Sequence, residues 1–156
     1  MQQMCLDSAL VSAKLSTKYL SSNGILILVG SAAGLEPQPS MLAYGLVKNS
    51  THYLTLSLSN NEQNGLPKNS RVICVLPRVI DTPNNRKYMG GPNVDTSSWT
   101  PTHHFAEKFL SWSKLNQELQ YNTLPPSGTL LVTNTKQGKT EFEQVQVETT
   151  MTGKLY

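Results

Sequence analysis

Ile25-Leu26-Ile27-Leu28-Val29 is five consecutive β-prone apolar residues with no polar alternation. A strand with one wet face alternates; a strand that is apolar at every position is built to be covered on both faces, as in parallel sheets flanked by helices. Val72-Ile73-Cys74-Val75-Leu76 repeats the pattern, and Thr129-Leu130-Leu131-Val132-Thr133 supplies a third strand. Helical spacing fills the intervals. Segment 3–20 carries Leu6, Leu10, Val11, Leu15 and Tyr19, and about 102–119 carries Phe105, Phe109, Leu110 and Trp112. Segment 41–60 is apolar on more than one side, with Leu42, Leu46, Val47, Tyr53, Leu54, Leu56 and Leu58. Alternating helix and strand predicts an α/β fold, about three parallel strands with flanking helices joined by right-handed crossovers. The expected organisation is a single domain, an α/β core over 1–134 followed by a hairpin or tail over 135–156.

The local punctuation predicts the boundaries. Gly24 is expected to cap the first helix, Ser40 the second, and Thr100-Pro101 the third. Segments 31–40 and 77–101 read as loops rich in Pro and Gly. Three strands make a small sheet, and strand 25–29 reads as an interior strand with only one partner, 72–76. Its other edge would leave backbone amides and carbonyls unpaired. The chain is therefore expected to be the C-terminal part of a larger sheet, or to be completed by another chain.

Composition removes several function classes. Charged residues are 15% of the 156, and the net charge of +3 is spread without a basic run, which gives nucleic-acid binding little support. The longest apolar run, 25–29, is far too short to cross a bilayer. Cys5 and Cys74 form no pattern, and a reducing, cytoplasmic setting is expected. His103-His104 has no third ligand nearby, so no metal site is expected. His52 reads as an interfacial residue.

The chemistry concentrates where the strands end. Ser31 follows the first strand, Tyr44 lies thirteen positions later, and Lys48 comes one helical turn after Tyr44. Ser31 and Pro77 both fall at the carboxyl edge of the sheet, where open α/β folds bind ligands. A tyrosine hydroxyl titrates near 10. An ammonium within about 4–6 Å favours the phenolate and brings proton transfer into range. The bland alternative is a packed helix tyrosine with a lysine running past it. Pro77-Arg78-Val79-Ile80-Asp81-Thr82-Pro83 is a second candidate, a stiff loop whose backbone near Ile80 and Thr82 hydroxyl suit a planar carboxamide. Its bland alternative is a rigid loop in which Asp81 and Thr82 cap a turn.

These two segments resemble the short-chain dehydrogenase/reductase family. Ser31, Tyr44 and Lys48 match its catalytic serine, tyrosine and lysine by spacing, and Pro77, Ile80 and Thr82 match its nicotinamide loop. The stretches GSAAGLEPQPSMLAYGLVK (30–48), VLPRVIDTPNNRKYM (75–89), SSWTP (97–101) and PPSGTLLVT (125–133) are similar to a narrower branch of it, in order over about 1–140. The resemblance implies a Rossmann-like fold represented here by its C-terminal part only, without the N-terminal βαβ half. It implies hydride transfer from NADH, with NADPH as the other option, to a quinonoid dihydropterin. Tyr44 would be the proton donor and Ser31 accessory. Tyr44, Lys48, Pro77, Val79, Ile80 and Thr82 would hold the cofactor. A homodimer through helices 3–20 and 41–60 is also implied. The family's glycine-rich strand–turn–helix, its acidic residue for the adenosine ribose and its helix asparagine have no match in the sequence, and Arg78 stands where the general loop has glycine. The alternative expectation is a catalytically incomplete chain that serves as an interaction or dimerisation subunit.

Overall fold

The computed structural model describes residues 3–59, 65–117 and 123–145. A π-helical turn, Gln3–Asp7, leads into α1, Ser8–Tyr19, and then β1, Ile25–Val29. Two short 3-10 turns precede α2, Leu42–Leu58, which is followed by β2, Arg71–Leu76. Next come β3, Ile80–Asp81, α3, Pro83–Met89, β4, Thr100–Pro101, and α4, Thr102–Gln117. The hairpin of β5, Leu130–Lys136, and β6, Lys139–Gln144, completes the order. The main sheet runs β1-β2-β5-β6, while β3 and β4 pair separately. Strands β1, β2 and β5 are parallel, and β6 returns antiparallel. The α/β class read from the alternation is the fold observed.

The continuous apolar strands work as two interleaved sets. Leu26, Leu28, Val72, Cys74, Leu76, Leu130 and Val132 face one side and pack with Ala9 and Ala13 of α1 and Leu58 of α2. Ile73, Val75 and Leu131 face the other, against Trp112, with Phe105, Phe109 and Phe142 alongside. Helices therefore cover both faces, and β2 lies in the middle with Val72 through Leu76 at zero exposure. Replacing Ile73 with Ala should cost about 2–5 kcal/mol, through lost transfer energy and an unfilled cavity. Urea unfolding measures it, and a loss below about 1 kcal/mol would mean that the site collapses around the smaller side chain.

β1 takes the place expected of it within this chain, with 72–76 as its partner and its other edge open. In the described sheet it is an edge strand paired with β2; Leu26 and Leu28 are buried, Ile25 and Ile27 are half-buried, and Val29 is 47% exposed. Ile25 and Ile27 pack against the cluster of Ile73, Val75, Leu131 and Trp112, so this face of β1 is partly covered and opens to solvent at Val29. An all-apolar strand thus borders the sheet, with one ladder unpaired among the described residues.

Several boundaries shift. α1 ends at Leu20 in extended conformation, and the left-handed residue of that turn is Asn23 rather than Gly24. Ser40 lies in the 3-10 turn Pro39–Met41, and α2 starts without a side-chain cap. Thr100 is not a helix cap. It belongs to β4, and its buried hydroxyl bonds those of Thr133 and Thr135 at 3.2 and 2.9 Å. Segment 77–101 holds β3, α3 and β4 rather than one loop. The boundary expected at 134 falls inside β5, because the hairpin turns at Gln137 and Gly138, both at positive φ, which suits a two-residue connection. The ends expected for the second and third helices near 60 and 119, and Val147 of the expected C-terminal hairpin, lie outside the described residues.

Candidate active site

The parallel ladder between β1 and β2 continues past both strands. Gly30 N–H donates to the Val75 carbonyl at 2.9 Å, and Ala32 N–H to the Pro77 carbonyl at 3.0 Å. The segments carrying Ser31 and Pro77 are thereby held side by side at the carboxyl edge. The Ser31 hydroxyl accepts Ala33 N–H at 3.2 Å and donates to the Pro77 carbonyl at 3.4 Å. It is almost fully buried and ties the two segments together.

α2 is clasped to this edge. Asn49 Nδ2 donates to the Gly34 carbonyl at 2.9 Å. A Cβ on Gly34 would come within 2.8 Å of the Asn49 nitrogen, so the close approach requires glycine there. The clasp sets Tyr44 and Lys48 beside Ser31. The Lys48 ammonium lies 5.8 Å from the Tyr44 ring centroid and donates to the Val29 carbonyl at 3.2 Å. The two side chains share one side of the helix, above the end of β1.

A cleft of about 670 Å³ opens here, lined by Ser31, Ala33, Met41, Leu42, Tyr44, Arg78, Val79, Asn85 and Met89, among others. Its walls are mainly apolar, with a few polar groups converging, as small-molecule sites are built. Lys48 borders a separate hollow of about 280 Å³ between the helical N-terminal segment and β1, with Ser8, Ser12 and Val29. Ser31 and Tyr44 thus share one cavity, and Lys48 reaches the next one across a single helical turn.

The second candidate loop is used differently. Of Pro77, Val79, Ile80 and Thr82, only Val79 is in the lining of the cleft. The Thr82 hydroxyl accepts Asn85 N–H as the cap of α3, and the Ile80 carbonyl accepts Asn85 Nδ2 at 2.8 Å. Asp81 pairs with Arg86 through two bonds of 2.5 and 2.7 Å, which hold its carboxyl below the ordinary carboxylate range. Arg86 is therefore engaged with Asp81. Arg78 stands on the cleft wall, its Nε donating to Asn134 Oδ1 at 2.9 Å.

His52 is not interfacial. It is 4% exposed, directly behind Ser31, and burial followed by the charge of Lys48 lowers it to about 4. Its position was readable from the series Tyr44, Lys48, His52, which repeats every four residues along one helix side. Met41, Leu42 and Met89 had no comparable signal, because only the folded loops bring them to the cleft. Among the described residues, no cluster of His, Cys, Asp or Glu has metal-holding geometry, and no helix is long and apolar enough to cross a membrane.

A parallel sheet flanked by helices, with a Tyr-x-x-x-Lys helix side at its carboxyl edge, is a Rossmann-like arrangement. The particular likeness is to dihydropteridine reductase. Over 136 residues the chain is 38% identical to the dihydropteridine reductase of Dictyostelium discoideum, covering 87% of this chain and 55% of that protein. The chain spans about half the length of that curated relative, consistent with its C-terminal portion. A solved structure, 4-hydroxyisoleucine dehydrogenase complexed with NADH, aligns at a TM-score of 0.45 and 22% identity, over 70% of this chain and 44% of that one. That likeness is too distant to bear on the site. No protein-family model matches the chain.

Proposed function

We propose that this chain forms the tyrosine–lysine half of an NADH-dependent reductase acting on a quinonoid dihydropterin. The observation that carries the reading is the Tyr44–Lys48 pair, 5.8 Å from ring to ammonium, beside a cleft at the carboxyl edge of the sheet. The donor set fits the nicotinamide–ribose end of the cofactor. The Lys48 ammonium would hold ribose hydroxyls, and the apolar walls would hold the ring, with Val79 behind it. NADPH presents the same end, so this site accepts either form. The bound cofactor supplies the hydride. Tyr44 donates its hydroxyl proton to the pterin nitrogen that becomes electron-rich as hydride arrives, so the quinonoid dihydropterin becomes the tetrahydropterin. Lys48 keeps its positive charge beside the Tyr44 ring, 5.8 Å from the centroid, while the proton leaves. Ser31 ties the tyrosine side of the cleft to the Pro77 segment.

The reading includes a homodimer. Val11, Leu15 and Tyr19 of α1 and Leu42, Leu46 and Tyr53 of α2 are large apolar residues, each about half or more exposed. Such a face suits burial against its own copy. Replacing Leu46 and Tyr53 together with Asp should shift the chain from dimer to monomer in sedimentation equilibrium, and an unchanged mass would remove these helices from the interface. That face also favours a second reading, a non-catalytic chain that pairs with a complete subunit. Fluorescence titration with NADH separates the two. Micromolar binding by the chain alone supports the reductase and excludes the interaction-only reading, whereas no binding at millimolar NADH excludes autonomous catalysis.

A further inference from the structure

Gly30 and Gly34 face the same object. A Cβ on Gly30 would lie 2.6 Å from His52 Nε2 and 2.7 Å from its Cδ2, and one on Gly34 would lie 2.8 Å from His52 Cε1. The turn that carries Ser31 therefore wraps one edge of the imidazole, with side chains omitted at both points of contact. Between them the Ser31 N–H donates to Nε2 at 3.4 Å. That length is at the long end of the hydrogen-bond range, so the steric fit matters as much as the bond. Accepting at Nε2 requires its lone pair, which puts the ring proton on Nδ1.

We propose that His52, as the neutral Nδ1–H tautomer, is a positioning residue that sets Ser31 and its turn against the tyrosine-bearing helix. The path is continuous. His52 and Tyr44 are on the same helix, His52 holds the Ser31 amide, and the Ser31 hydroxyl holds Pro77. One ring thereby fixes the spacing between Tyr44 and the segment across the cleft from it. The charged group facing it is Lys48, one turn earlier on α2. Cys74 of β2, whose thiol interacts with Thr55 and Gly30, is pushed up to about 11 by burial and stays uncharged. Protonating His52 would remove the acceptor and bring a second positive charge beside Lys48. The catalytic consequence rests on the reductase reading above, while the contact itself does not.

The test uses the whole ¹⁵N-labelled chain. The Ser31 amide resonance should titrate with the same midpoint as the His52 ring, well below an ordinary histidine. His52→Gln, whose carbonyl oxygen reaches the place of Nε2, should keep the Ser31 amide protected from hydrogen exchange. His52→Leu should raise its exchange rate about tenfold and lower kcat with little change in KM. A Ser31 amide that ignores the ring's titration overturns the proposal. So does wild-type turnover in a folded Leu variant whose Ser31 amide has been released. If the Leu variant does not fold, the wild-type titration decides. That titration needs no cofactor or pterin, so a failed reductase assay leaves it standing.

Discussion

Tyr44→Phe is expected to lower turnover by about 10²–10⁴-fold while changing NADH affinity less than about twofold. The substitution removes one oxygen and one proton. The ring that walls the cleft stays, as does the Lys48 contact with the Val29 carbonyl, which does not pass through the phenol. Ground-state binding should survive and proton donation should not. Steady-state oxidation of NADH with quinonoid dihydropterin gives turnover, and fluorescence titration gives affinity. Lys48→Met should behave differently. It loses both the proposed ribose contact and the cation beside the Tyr44 ring, so affinity and turnover should fall together. Equal turnover in wild type and Tyr44→Phe would remove this tyrosine from the chemistry.

The second large effect is on acid stability. His52 is lowered from 6.5 to about 4 by burial first and the Lys48 charge second. Between those values the unfolded chain binds a proton that the folded chain refuses. The contribution of the neutral imidazole is therefore complete above pH 6.5 and is lost as pH falls towards 4, amounting to about 3 kcal/mol. Asp81, also lowered, changes stability in the same direction as pH falls, but its pair with Arg86 is exposed and contributes little. Urea unfolding at a series of pH values should show a steep decline for wild type and a shallower one for His52→Gln. Identical slopes would mean that the ring is not held neutral by the fold.

The residues that announced the fold did so because burial constrains them heavily. An unbroken apolar run such as Val72 to Leu76 has few places to go except between two helical layers, and that is where β2 lies. Tyr44 and Lys48 were legible for a related reason, since four-residue spacing on a helix decides which side chains meet. The misses share one cause: tertiary context overrode local preference. Thr100-Pro101 has the local signature of a helix start, but Thr100 N–H is taken by the Val79 carbonyl at 2.8 Å and its hydroxyl by two buried threonines, so the pair becomes a strand. Thr82 and Ile80, read as ligand groups, also carry local contacts, since Asn85 donates to the hydroxyl oxygen of one and the carbonyl of the other, and each keeps further hydrogen-bonding capacity. β1 is not one of the misses: its composition is interior, yet the single partner and open edge expected for it within this chain are what it has in the described sheet. Its place at the border of the described sheet follows from which neighbours are present, and composition does not encode that.

The same strand bears on the interaction reading. Among the described residues β1 keeps an unpaired ladder, and its partly covered apolar face opens at Val29 next to the hollow that Lys48 borders. A reductase built on this edge needs the cofactor's ribose to sit where Lys48 points, close to that open border. The reductase reading and the interaction reading therefore differ at one place, whether the groups around Tyr44 and Lys48 respond to the dinucleotide in this chain by itself.

Amide shift mapping by NMR addresses that place directly. On adding NADH to the ¹⁵N-labelled chain, saturable shifts are expected at Ser31, at Tyr44 through Lys48, and at Arg78 and Val79, with the α4 surface unmoved. Shifts confined to α4 and the hairpin, or none at millimolar NADH, would contradict the placement of the nicotinamide beside Tyr44 and Lys48.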